Sequence, residues 1–163
     1  RKYVYTGKFK VDDNVIIGGR NHTIGKLALS PTRTYLPVLN EILKNHKESI
    51  HGIIHATGGG HTKVLKYCDA PVHILKDNLF EVPPIFDIIQ KSTDTSLTEM
   101  YKVFNMGTRL ALYVDAEAAA SIIEISARFN IRAQVIGRVE GSKDNSMSVT
   151  VITNTETLVY QEK

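Results

Sequence analysis

Apolar and polar positions along this chain follow two rhythms, one of period two and one near 3.6 residues, and the switches between them outline its elements. Tyr3 to Val11 alternates and predicts a strand, followed by irregular connections at Gly18-Gly19 and Gly25. Ser30-Pro31 and the triplet Leu36, Leu39 and Leu43 predict a helix. Because Pro37 lacks the N–H that a mid-helix position uses, that helix is expected to begin near Tyr35, with 31–34 as an ordered lead-in loop. Ser49 to His55 reads as a strand running into Thr57-Gly58-Gly59-Gly60, with a short helix over His61 to Tyr67 and a short strand over Val72 to Leu75.

Downstream, Pro83-Pro84 opens a predicted helix with Ile85, Ile88 and Ile89 inward, and Ser96-Leu97-Thr98-Glu99 is a capping box that starts the next helix near Leu97. That helix is expected to end around Phe104-Asn105-Met106-Gly107, ahead of a strand from Arg109 to Val114. Asp115 then caps a long helix, Ala116 to Phe129, with Ile122, Ile125 and Phe129 at core spacing and Asn130 as its stop. Strands are predicted at Ala133 to Val139, Met147 to Ile152 and Thr157 to Tyr160, the first two separated by a polar turn at 141–145. Strands that alternate with helices and end in a strand pair predict a layered mixed sheet covered by helices, of α/β or α+β class.

Composition bounds the function. A chain of 163 residues with 42% hydrophobic content has ordinary globular make-up and is read as a single domain, 1–163, able to bury roughly 70% of its unfolded surface. Apolar runs stop after a few residues, far short of the about 20 that a membrane helix needs, so neither a membrane span nor a membrane partner is expected. The first residues lack the pattern of a signal peptide, and the absence of an initiator Met fits a piece of a longer protein. Cys68, being single, cannot form an internal disulfide; it reads as a small buried apolar side chain in a reducing compartment, most simply the cytoplasm. Twenty Lys and Arg against seventeen Asp and Glu leave a net charge of +3, dispersed without a basic run, so nucleic acid is not an expected partner.

The sharpest chemical feature is His55-Ala56-Thr57-Gly58-Gly59-Gly60. Three glycines between a strand and a helix expose backbone N–H groups that suit an anion such as phosphate, although close packing alone also uses such glycines. His51 and His55 fall on one face of the strand, but no third ligand lies close in sequence, so no metal site is expected. His55 beside the glycines is the better candidate for a proton or charge role, with a packed, hydrogen-bonded histidine as the alternative. Arg33 at a helix start could grip a phosphate with two parallel hydrogen bonds or lie on the open surface. Asn105 either presents its amide to a ligand or supplies a left-handed turn.

Taken in order, LSPTRTY (29–35), IHGIIHATGGG (50–60), FEVPPIFDIIQ (80–90), EMYKVFNMG (99–107) and VIGRV (135–139) resemble one family, the phosphoribosylformylglycinamidine cyclo-ligases, or aminoimidazole ribonucleotide synthetases, in their C-terminal half. The resemblance implies an α+β domain with a ferredoxin-like core, belonging to a two-domain enzyme whose N-terminal half, not contained in this chain, supplies most of the ATP and Mg2+ site and a homodimer contact. It implies ATP-dependent ring closure of a small-molecule nucleotide substrate in purine biosynthesis. Thr32, Arg33, Thr57, Gly58, Gly59, Gly60 and Asn105 would then lie near substrate or nucleotide phosphates, and His55 near the reacting atoms. The alternatives are another ATP-dependent phosphotransferase of the same superfamily and a non-catalytic anion-binding module on this scaffold.

Overall fold

The computed structural model describes residues 8–31 and 33–161. It begins with a hairpin, β1 (Asn14–Ile17) antiparallel to β2 (Arg20–Thr23), closed by Gly18 and Gly19 at φ +56° and +73°. Two successive left-handed residues make the turn whose twist matches a two-stranded ribbon, so this glycine pair closes a hairpin where an irregular connection was expected. Of the expected strand from Tyr3 to Val11, 3–7 lie outside the described residues and 8–11 form no strand.

Thr23 caps the short α1 (Ile24–Ala28), its hydroxyl accepting from the Lys26 N–H at 3.3 Å. Helix α2 (Leu36–His46) carries Pro37 in its first turn, where the missing N–H costs nothing. Its buried face differs from the leucine triplet: Val38 and Ile42 are each 2% exposed, whereas Leu36 is 72% exposed. Both choices satisfy helical spacing, and the contact with α5 (Ala119–Arg128) decides between them.

Strand β3 (Ile50–His55) pairs antiparallel with β5 (Leu110–Val114). This two-stranded ribbon has a core on each face. Ile50, Leu112 and Val114 pack on the α2–α5 cluster of Val38, Ile42, Ala118, Ile122 and Ile125. Ile54 and Tyr113 face the larger cluster built around Met100, Val149 and Val151.

That larger core lies against one face of a four-stranded mixed sheet in the order β6 (Gly137–Gly141), β4 (Val72–Lys76), β7 (Ser148–Ile152), β8 (Thr157–Gln161). Only β4 and β7 run parallel. A 3-10 helix (Gly60–Lys66), α3 (Pro84–Thr93) and α4 (Leu97–Val103) contribute its other side chains. Ser96 caps α4 as expected, accepting from the Glu99 N–H at 3.3 Å. Cys68 is free, half-buried and packed against the same core. The molecule is of α+β class, and among its described residues no helix is long and apolar enough to cross a membrane.

Three further expectations shift. The segment Ala133 to Val139 becomes strand only from Gly137, because Asp77 and Asn78 donate to the Ile136 carbonyl and the Asn78 amide donates to that of Val135. The long helix starts with a 3-10 turn (Ala116–Ala118), and Asp115 makes no side-chain cap bond. Its carboxylate instead accepts from His51 Nε2 at 2.7 Å, a bond that also holds the carboxyl below its usual range. Ile122 and Ile125 are buried but Phe129 is 39% exposed, since the helix stops at Arg128 and Asn130 turns left-handed at φ +55°. In α3 no residue is fully buried; Phe86 and Ile89 lean on the core while Ile85 and Ile88 line a cleft.

Candidate functional site

The ribbon ends where the chemistry collects. Past His55 the ladder continues by one bond, Ala56 N–H to the Arg109 carbonyl at 2.8 Å, which sets Arg109 beside the start of the glycine segment. Thr57 N–H turns back onto the His55 carbonyl at 2.9 Å. Gly58 is exposed, Gly59 is left-handed at φ +74°, and neither donates its N–H to a described group. Gly60 is of another kind. It is buried at φ +44°, and a Cβ there would lie 2.4 Å from the Tyr101 and Phe104 carbonyl oxygens. Two of the three glycines therefore present backbone, and the third lets the 3-10 helix press against the end of α4.

That helix is a 3-10 segment of seven residues, Gly60–Lys66, so a helix dipole contributes little at the loop. A side chain supplies positive charge instead: Lys63 Nζ donates to the His55 carbonyl at 2.8 Å and lies 3.4 Å from Thr57 Oγ1.

Across the loop, the 104–107 turn is left-handed at Met106 and Gly107, not at Asn105. Asn105 Oδ1 accepts from the Gly107 N–H at 3.0 Å, which leaves its NH2 without a described partner. The Asn105 carbonyl accepts twice, from Thr108 N–H at 2.8 Å and from His61 Nε2 at 3.0 Å.

Of these groups His55, Ala56, Thr57, Asn105 and Arg109 border a cleft of about 710 Å³, whereas Gly58, Gly59, Gly60 and Lys63 are not among its lining residues. Its walls are apolar, with Ile24 and Leu27 of α1 facing Pro84, Ile85 and Ile88 of α3, while His55, Thr57, Asn105 and Arg109 form a polar end. Apolar walls with a few convergent polar groups are the common build of a small-molecule site. The His55 ring is exposed and rests edge-on against Tyr35, the centroids 5.8 Å apart.

Arg109 is half-buried and, among the described residues, has neither an ion pair nor a side-chain hydrogen bond. Other arginines are engaged: Arg128 with Glu41 at 3.5 Å, Arg138 with Asp77 and Glu140, and Arg132 over the Phe80 ring. A guanidinium left unpaired at the end of a cleft is suited to an incoming carboxylate or phosphate.

Of the residues singled out in the sequence, His55, Thr57 and Asn105 meet at this cleft. Arg33 does not line it; its guanidinium donates to the Asn130 carbonyl at 2.9 Å, just past the end of α5. Thr32 lies outside the described residues. His51 is engaged by Asp115, near a register shift between Ile50 and Gly52. Lys63 and Arg109 were not foreseen. Lys63 has a local signal, a cation three residues after the last glycine, but Arg109 arrives through strand pairing with a distant segment and has none. Mg2+ finds no ligand set here, since among the described residues no three His, Cys, Asp or Glu side chains cluster.

Comparison with known proteins identifies the family to which this chain is similar. Residues 9–150 match the family model described as AIR synthase related protein, C-terminal domain. A phosphoribosylformylglycinamidine cyclo-ligase of Methanocaldococcus jannaschii is 36% identical over 135 residues, covering 83% of this chain and 37% of that protein. Its namesake in Methanococcus vannielii is 42% identical over 118 residues, 72% of this chain and 33% of that protein. In Syntrophus aciditrophicus the figures are 35% over 157 residues, 92% of this chain and 43% of the relative. The chain thus spans well under half the length of these relatives.

Proposed function

The chain belongs to the AIR synthase related family, matching its C-terminal domain, and on that premise we propose that it forms the phosphate-binding wall of a phosphoribosylformylglycinamidine cyclo-ligase. The observation that carries this reading is the meeting of His55, Thr57, Asn105 and the unpaired Arg109 at the polar end of one apolar-walled cleft.

In this reading, ATP turns the formyl oxygen of formylglycinamidine ribonucleotide into a phosphate leaving group; a nitrogen of the same molecule then attacks that carbon, phosphate departs, and the imidazole ring closes. The residues of this chain bind and orient. Arg109 takes a phosphate in two parallel hydrogen bonds and the Asn105 NH2 adds a neutral donor, while the Gly58 and Gly59 amides, next to Thr57 and outside the cleft lining, would serve a phosphate that extends past its edge. Lys63 places a positive charge behind the loop. The apolar walls hold the remainder of the substrate, so that nitrogen and carbon meet within one molecule and ring closure is not delayed by a search through solvent. His55 exchanges the proton that the attacking nitrogen sheds, since one ring nitrogen of a neutral imidazole accepts a hydrogen bond and the other donates one. Most of the ATP and Mg2+ site belongs, in this reading, to the N-terminal half of the complete enzyme, and among the described residues here no three His, Cys, Asp or Glu side chains cluster to hold the ion. The ferredoxin-like layering and the homodimer implied by the resemblance belong to the same proposal, to be tested by a crystal structure of the complete enzyme.

The functional test is an assay of the complete protein with formylglycinamidine ribonucleotide and ATP, following ADP and aminoimidazole ribonucleotide together. Equal release of both is expected. ADP release with a different phosphorylated acceptor would favour another phosphotransferase of the superfamily. Binding of the ribonucleotide without turnover would favour an anion-binding module.

A further inference from the structure

Beneath the glycine loop the interior contains polar groups that a purely apolar core would exclude. His61 is 3% exposed, and Lys76 and Thr108 are each 5% exposed. Lys76 Nζ donates to the His61 carbonyl at 3.0 Å, and no carboxylate lies within ion-pair distance among the described residues. Since His61 Nε2 donates to the Asn105 carbonyl, a neutral ring carries its lone pair on Nδ1. That Nδ1 and the Thr108 Oγ1 are buried without a protein partner. All three side chains line one small cavity of about 10 Å³, together with Gly60, Ile54, Ala111 and Tyr113 among others.

We propose that Lys76, His61 and Thr108 hold a single buried water molecule, and that this water-centred knot positions the Asn105 turn against the glycine loop, with Lys76 as a positioning residue.

Chemistry and size select the guest. A lone pair on His61 Nδ1 demands a donor, while the spare N–H groups of Lys76 demand an acceptor, so the guest must be both. Three hydrogen bonds, one each to Lys76, His61 and Thr108, are the usual number for a buried water. A cavity of this volume admits one water and excludes phosphate. Positioning follows from the connections on either side. The Asn105 carbonyl accepts from both the His61 ring and the Thr108 N–H, and the His61 carbonyl is held by Lys76. Restraining these three groups from within therefore fixes the turn that presents Asn105 to the cleft. The water site stands without the proposed function; only its effect on the cleft rests on that reading.

Two substitutions in the complete protein test it, Thr108→Val, which removes the hydroxyl at nearly constant shape, and Lys76→Met. In the wild type, a high-resolution crystal structure is expected to show one water bonded to all three groups, and the His61 ring 15N spectrum to show the Nε2–H tautomer. In Thr108→Val, amide exchange at Thr108 and Gly107 should quicken at least tenfold, and Lys76→Met should do the same where it folds. In the assay, KM should rise severalfold with kcat changed less than twofold. A dry cavity in the wild type, or Thr108→Val with wild-type exchange, would overturn the proposal. These readouts need no substrate, so they separate its failure from failure of the cyclo-ligase assignment.

Discussion

Lys63 Nζ donates to the carbonyl oxygen of His55 over 2.8 Å, so a cation from the helix that follows the glycine loop is fastened to the strand that precedes it. The loop is closed by this link as well as by its backbone. Lys63→Met keeps the length of the side chain and removes the charge. It should lower folding stability by about 1 kcal/mol, the net worth of one hydrogen bond, and weaken phosphate binding severalfold. Urea unfolding and titration with inorganic phosphate check the two effects, and unchanged phosphate binding would remove Lys63 from the site.

Arg109 and Arg33 make a contrast inside the complete enzyme. Arg109→Gln should raise the KM for the ribonucleotide by tenfold or more, corresponding to about 1.5–3 kcal/mol for a lost charge-assisted hydrogen bond. Arg33→Ala should act mainly on stability, since its guanidinium serves the Asn130 carbonyl. Steady-state kinetics beside thermal unfolding distinguish the two, and a large KM effect confined to Arg33→Ala would reverse the assignment.

Gly60→Ala should fail structurally before it fails chemically. The new methyl would sit 2.4 Å from two carbonyl oxygens at a φ of +44°, combining overpacking with left-handed strain. A loss of several kcal/mol follows. Gly58 has no atom within 4 Å of the corresponding position, so Gly58→Ala adds no clash. Its φ of +157° is one that a residue with a Cβ rarely adopts, and the variant should lose about 1–3 kcal/mol from backbone strain alone, less than Gly60→Ala. Denaturant midpoints of the pair read the difference directly.

Burial depresses the His61 imidazole to about 3, helped by the Lys76 charge, and brings the Lys76 amine down to about 8. In both cases the unfolded chain binds more protons than the folded one, so stability rises with pH. For His61 the rise runs from about pH 3 to 6.5, and for Lys76 from about pH 8 to 10.5. Each slope approaches about 1.4 kcal/mol per pH unit. Stability curves across both windows should lose the acid limb in His61→Phe and the alkaline limb in Lys76→Met. An alkaline limb that survives Lys76→Met would place its origin elsewhere.

Much of the fold was legible because its signals are local. Ser96 with Glu99, Asn130 after the last helix, and the strand that runs into Thr57 are marked by neighbours in sequence. The errors came from choices that tertiary contact makes. Val38 and Ile42 were preferred to the leucine triplet because α5 packs there, and Asp115 serves His51 in place of the helix start. The site divides in the same way. His55, Thr57 and Asn105 belong to local motifs, whereas Arg109 depends on β5 lying beside β3. The buried Lys76 and His61 gave no sequence signal, because only the packed interior brings a strand lysine under the carbonyl of a helix histidine.

The β3–β5 ribbon is a partition with hydrophobic filling on both sides, and the cleft's polar end grows from its rim. A rim backed by two compartments resists bending whichever way it is pushed. This protein can therefore keep a preformed crevice with few polar braces, and softening either compartment, even through the distant Ile42 or Val149, should blur the crevice before the chain unfolds.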